Sequence, residues 1–177
     1  SNFNVAGTTL NNDVSLVVNK SPGVNIICDN TILPNSINAK LVLTSGNLDV
    51  LTNDKSIFVI NPDPNAIVGG SIGSHIIGRL TRNTNQVAPY VFPVSNNATQ
   101  LAKAVITPSN SNTTGWEATF IAPNPNSSIG LTPGSIDIVT NYYWEIGRLF
   151  LPTPADAGNI TFHYNELTAP SVLIPSQ

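Results

Sequence analysis

One cysteine in 177 residues, Cys28, excludes an internal disulfide and any thiolate metal cluster. Its apolar setting, Val24-Asn25-Ile26-Ile27-Cys28, suits a buried small hydrophobe better than a reactive thiol. Methionine is missing altogether, and charged side chains make up 10% of the chain, well under the roughly 25% of an average soluble domain. Seven basic residues against ten acidic give a net charge of -3, so no basic field exists to draw in a phosphate backbone. Nucleic acid is thereby excluded as a partner. No apolar run approaches the 18 or so residues of a membrane span, and membrane insertion is not expected.

Catalytic side chains are equally scarce. Two histidines, His75 and His163, and three glutamates, Glu117, Glu145 and Glu166, leave few combinations for a nucleophile with its base or for a pair of carboxylates. Glu117 and Glu145 each follow a tryptophan on a strand and could meet across neighbouring strands, where the plainer reading is two solvated carboxylates matched with Lys103 or Arg148. Asp49, Asp54 and Asp63 fall near turns without the spacing of a calcium loop. The expectation is a protein without enzymatic activity, metal or cofactor, its two histidines ordinary surface or interface residues.

What the chain does have is turn chemistry and short apolar segments. With 41% apolar content it can bury a proper core. Val14 to Val18, Val24 to Cys28, Ala39 to Leu43, Leu48 to Leu51 and Ile57 to Ile60 read as strands, separated by Pro22-Gly23, Ser45-Gly46 and Asn53-Asp54. A strand, a one-glycine corner at Gly46 and a second strand would suit a rung of a β-solenoid. Further on, Leu101 to Thr107, Gly115 to Ala122, Ser135 to Thr140, Tyr142 to Phe150 and Asn159 to Tyr164 are rich in β-branched and aromatic residues. Trp116, Ala118 and Phe120 share one face, as do Tyr142, Trp144 and Ile146, and Ile160, Phe162 and Tyr164. No stretch sustains a 3.6-residue apolar period.

These features predict an all-β chain with almost no helix: a short-strand, solenoid-like or sheet part over 1–87, an antiparallel β-sandwich over 88–168, and an edge strand or linker over 169–177. The seam from Ser74 to Val94 carries His75, Arg79 and Arg82, which are expected to brace the joint. There a planar guanidinium fork can meet exposed carbonyls or carboxylates. Tyr143 and Trp144 are the candidate ligand-binding rings, because consecutive strand residues point to opposite faces and one of them must leave the core.

The order Gly78-Arg79-Leu80, Tyr90-Val91-Phe92-Pro93-Val94, Tyr143-Trp144-Glu145-Ile146 and Asn159-Ile160-Thr161-Phe162-His163-Tyr164 resembles the closing module of large secreted β-strand-repeat, adhesin-like proteins of Bacteroidetes-type bacteria. The similarity spans about 41–164. One departure is Ser95, where a glycine usually follows Phe-Pro-Val. The resemblance implies a β-solenoid ending in a β-sandwich, a cell-surface or extracellular location, export by the type IX route, and no catalytic residues. The expected function is a structural or adhesive surface module, the chain being a fragment of a longer protein. A carbohydrate-binding module, or a subunit of an extracellular filament or capsid-like assembly, is the alternative. The expected partners are other copies or other domains of a longer surface protein, and glycans.

Overall fold

A computed structural model describes residues 2–3, 13–29, 31–122, 142–149 and 158–163. Within them the chain is almost entirely β: β1 (Asn2–Phe3), β2 (Leu16–Ile26), β3 (Thr31–Leu33), β4 (Leu41–Asp49), β5 (Ser56–Val59), β6 (Ile67–Gly69), β7 (Ile76–Ile77), β8 (Arg79–Thr84), β9 (Tyr90–Ser95), β10 (Ala102–Pro108), β11 (Thr114–Ile121), β12 (Tyr143–Arg148) and β13 (Gly158–His163). The one helical turn among the described residues is a 3-10 segment at Pro64–Ala66. Asp63 caps it by accepting a 2.7 Å bond from the Asn65 amide. The segment expected over Ser135 to Thr140 lies outside the described residues.

The strands form two mixed sheets. The first runs β1-β2-β4-β7-β9-β10-β13, with β6 also on β4, and the second runs β12-β11-β8-β5-β3. From β2 to β9 the chain alternates between the sheets, except that β6 and β7 both join the first, and every pairing among these strands is parallel. Leu16 lies opposite Leu41 and Leu41 opposite Ile67, while Thr31 lies opposite Ile57 and Ile57 opposite Leu80, offsets of 25, 26, 26 and 23 residues. Beyond that stretch the order changes. β10 pairs β9 and β13 antiparallel, and β11 pairs β8 and β12 antiparallel, so each sheet is parallel on one side and antiparallel on the other.

Strand alternation explains the core. Leu16, Val18, Leu41, Leu43 and Leu48 from the first sheet and Leu33, Ile57, Val59 and Leu80 from the second are buried in one apolar cluster with Tyr90, Phe92, Val94, Ala104, Ile106, Trp116, Ala118 and Phe120. β10 shows the period-2 rule in full, with Ala102, Ala104, Ile106 and Pro108 buried and the residues between them half-buried.

Two predicted breaks are not breaks. β2 runs through Pro22-Gly23 and β4 runs through Ser45-Gly46, although both dipeptides carry turn chemistry. The glycines instead absorb a bulge. Asn19 pairs with Ser45 and Gly23 with Asn47, so the extra residues of β2 swell outward between the two pairs and leave Ser21 and Pro22 exposed. Gly46 has φ +76, and a Cβ there would fall on the Lys20 carbonyl oxygen. The Gly46→Ala substitution therefore combines left-handed strain with a backbone clash. It is expected to cost at least about 2 kcal/mol, read as a lowered urea midpoint with an unchanged slope.

Candidate functional site

The seam is the most densely bonded polar region of the described chain. Arg82 is fully buried. Its Nη1 donates to the Val91 carbonyl at 3.0 Å, and Nη2 donates to the carbonyls of Asp63 at 2.9 Å and Pro64 at 3.2 Å. The guanidinium carbon lies 4.8 Å from the Tyr90 ring centre and 5.8 Å from that of Phe92. Burial lowers its pKa to about 10, with Tyr90 and Asp63 opposing the shift, so the group is still a cation at neutral pH. Above pH 10 and up to the ordinary arginine range, the unfolded chain holds this proton more tightly than the fold. In that window the contribution of Arg82 to stability rises with pH.

Tyr90 completes the tie. Its hydroxyl donates to the Pro62 carbonyl at 2.9 Å and accepts from the Asn85 amide at 3.1 Å. Three consecutive carbonyls, those of Pro62, Asp63 and Pro64, are thus fixed by two side chains from β8 and β9.

His75 is buried as well, which removes the surface half of the expectation for it. Nδ1 lies 3.0 Å from the Ser71 carbonyl and Nε2 2.8 Å from the Asn97 carbonyl, while the His75 amide donates to Asn47 Oδ1 at 3.0 Å. The imidazole links the 71–74 turn to the loop after β9, a bracing position with no room for a reactant. Arg79 differs from both: it is half-exposed, and its Nε sits 3.5 Å from Glu117 Oε1. That pair is worth less than about 1 kcal/mol.

Tyr143 and Trp144 do not act together. Trp144 stacks between the sheets, 4.8 Å from Phe120 and 4.7 Å from Phe162, ring centre to ring centre. Tyr143 pairs with Ile121 on the opposite face of β12 and is half-buried. Glu117 and Glu145 share the outer face of β11 and β12, where Glu117 lies opposite Gly147 and Glu145 opposite Thr119. Glu117 is occupied by Arg79 and by a 3.2 Å bond from Thr81, not by the Lys103 or Arg148 expected from sequence. Arg148 lies over the Trp116 ring, 5.9 Å from its centre, and Lys103 belongs to the other sheet.

The turn aspartates serve the backbone. Asp49 accepts from the Thr52 amide and hydroxyl, and Asp54 takes φ 50 in the same turn. No three His, Cys, Asp or Glu side chains cluster among the described residues. A cleft of about 230 Å³ opens beside the seam, lined by Asn35, Ile37, Asn61, Pro62, Asp63, Asn85 and Gln86. None of these residues except Asp63 stands out in sequence. The available signal is an asparagine two residues past the end of β3 and of β5, and one residue past the end of β8.

Removing the Arg82 fork strips a donor from three carbonyls at once, of which Asp63 keeps the Ala66 amide. Arg82→Leu is expected to destabilise the fold by about 3–5 kcal/mol in chemical denaturation, and Arg82→Lys, which keeps the charge and loses the fork, by less. Tyr90→Phe removes two hydrogen bonds without changing shape and is expected to cost about 1–2 kcal/mol in the same assay.

No family model, curated protein or solved structure matches this chain, so the bonded seam and its cleft are the features from which a function is to be read.

Proposed function

We propose that this chain is a structural or adhesive module of an extracellular or cell-surface protein, without catalytic activity. In this reading β2 to β9 are the coils of a short β-solenoid, and β9 to β13 close it as an antiparallel β-sandwich. The observation that carries the reading is the change from parallel to antiparallel pairing, which both sheets make at neighbouring strands, β8 and β9. A parallel stack leaves unpaired strand edges that template further pairing, and an antiparallel run laid over its last coil covers them.

The polar inventory fits the same role. Arg82, Tyr90 and His75 spend hydrogen bonds on backbone carbonyls in and beside the seam, where a rigid spacer needs them. Charged side chains at 10% give a surface kept wet by amides and hydroxyls. No helix among the described residues is long and apolar enough to cross a membrane. The partners in this reading are other copies of the chain or other domains of a longer surface protein.

An antibody raised against the chain is expected to stain intact, unpermeabilised cells of the source organism or to detect the protein in cell-free medium. Detection solely after lysis would sink the surface assignment. Light scattering and negative-stain imaging of the natively isolated protein are expected to show elongated or polymeric particles. Compact monomers would count against the structural role.

A further inference from the structure

We infer that the cleft beside the seam is a binding site for a single neutral sugar residue, taken up by its hydroxyl groups. This goes beyond the structural reading, since a passive spacer has no use for such a site, and either can fail without the other.

The cleft arises from the parallel order of the second sheet. β3, β5 and β8 are successive parallel neighbours, so the segments leaving their carboxyl ends emerge on the same side. Asn35 and Ile37 follow β3, Pro62 and Asp63 follow β5, and Asn85 and Gln86 follow β8. Asn61 sits among them but is committed to the fold. It is buried, its Nδ2 donates to the Ala39 carbonyl at 2.9 Å, and its Oδ1 accepts from the Asp63 amide at 3.0 Å.

The other polar groups are differently placed. Asn35 and Gln86 are exposed and make no side-chain hydrogen bond with the described residues. Asp63 accepts from Asn65 through Oδ1, leaving Oδ2 for a donor. Asn85, which lines the cleft, has an Oδ1 that is buried without a donor among the described residues, a spare acceptor beside the ligand's place. Amides offer both donors and acceptors, which is what a sugar hydroxyl requires, being both itself.

Shape and charge narrow the class. Ile37 is 67% exposed and, with Pro62, supplies an apolar wall for the C–H face of a ring. The volume of about 230 Å³ lies below the roughly 300–1,000 Å³ of drug-sized pockets, so one ring fits and an extended oligomer would leave the cleft. Asp63 is the single charged residue of the lining, and the cation that acts on it, Arg82, is buried behind the wall and outside the lining, so anionic sugars are disfavoured and neutral ones admitted. The wall is also preformed, because Arg82 and Tyr90 hold the carbonyls of Pro62, Asp63 and Pro64 from behind.

The test is saturation-transfer NMR and titration calorimetry on the intact chain, with the methyl glycosides of glucose, galactose, mannose and N-acetylglucosamine, and galacturonate as the anionic comparison. At least one neutral glycoside is expected to bind with a Kd of about 1 mM or below, and galacturonate at least tenfold more weakly. Asn35→Ala and Gln86→Ala, at exposed positions, are expected to weaken that binding at least fivefold while leaving the thermal midpoint unchanged. Absence of binding by all four neutral glycosides, tighter binding of galacturonate, or binding indifferent to both substitutions would each overturn the assignment, the last by moving the site elsewhere. Staining of intact cells is unaffected by any of these results, which keeps failure of the cleft apart from failure of the surface role.

Discussion

The guanidinium of Arg82 is surrounded by carbonyl oxygens and aromatic rings, with no carboxylate in contact. That arrangement has a particular economy. A carbonyl is a weaker acceptor than a carboxylate, but three of them in fixed positions match the planar fork, and two of them belong to the 3-10 turn that Asp63 also caps. The cation is thereby a backbone-organising group. Loss of its charge matters less than loss of its geometry, since the carbonyls left behind would lose the donor that the fork aims at them, and only Asp63 keeps a second one, from the Ala66 amide. Everything on that side of the molecule, from the 3-10 turn to the walls of the cleft, depends on this one side chain being where β8 places it.

Parallel pairing is the second constraint. Within one sheet, neighbouring parallel strands cannot be joined by a tight hairpin, so the chain must leave and return. Here it does so by visiting the other sheet, which is why Leu16, Leu41 and Ile67 recur at nearly the same offset as Thr31, Ile57 and Leu80. The same geometry gathers the loops after β3, β5 and β8 at one edge. A binding cleft made this way consists of equivalent positions from successive passes of the chain, and needs no loop of unusual length.

Much of the β character was legible because alternation is a direct imprint of the pleat. Ala39, Leu41 and Leu43, or Trp116, Ala118 and Phe120, can share a face in no other regular structure of that length. The bulge at Gly23 and Gly46 was not legible. A glycine at positive φ carries the same local signature in a corner as in a bulge, and what separates them is the strand lying alongside. Arg82 was readable as a carbonyl or carboxylate binder from the shape of its fork, though not as a buried one. His75 was readable as a residue of the joint but not as a buried one, because the two carbonyls beside its ring, Ser71 and Asn97, come from segments whose approach depends on the sheet order. The cleft was invisible for a related reason: Asn35 and Asn85 each look like ordinary turn residues until the parallel register brings them to the same place.

The placement of Arg82 also bears on the order in which the chain can mature. Two of its acceptors, on Asp63 and Pro64, precede it, and the third, on Val91, follows it. A chain emerging from its amino end presents the first eight strands and the 3-10 turn before β9 exists. Until Val91 arrives the guanidinium lacks both its third acceptor and the Tyr90 and Phe92 rings that shield it. The full set of bonds around Arg82 therefore needs β9 as well as the strands before it, and the seam fastens segments from both sides of this residue in the chain.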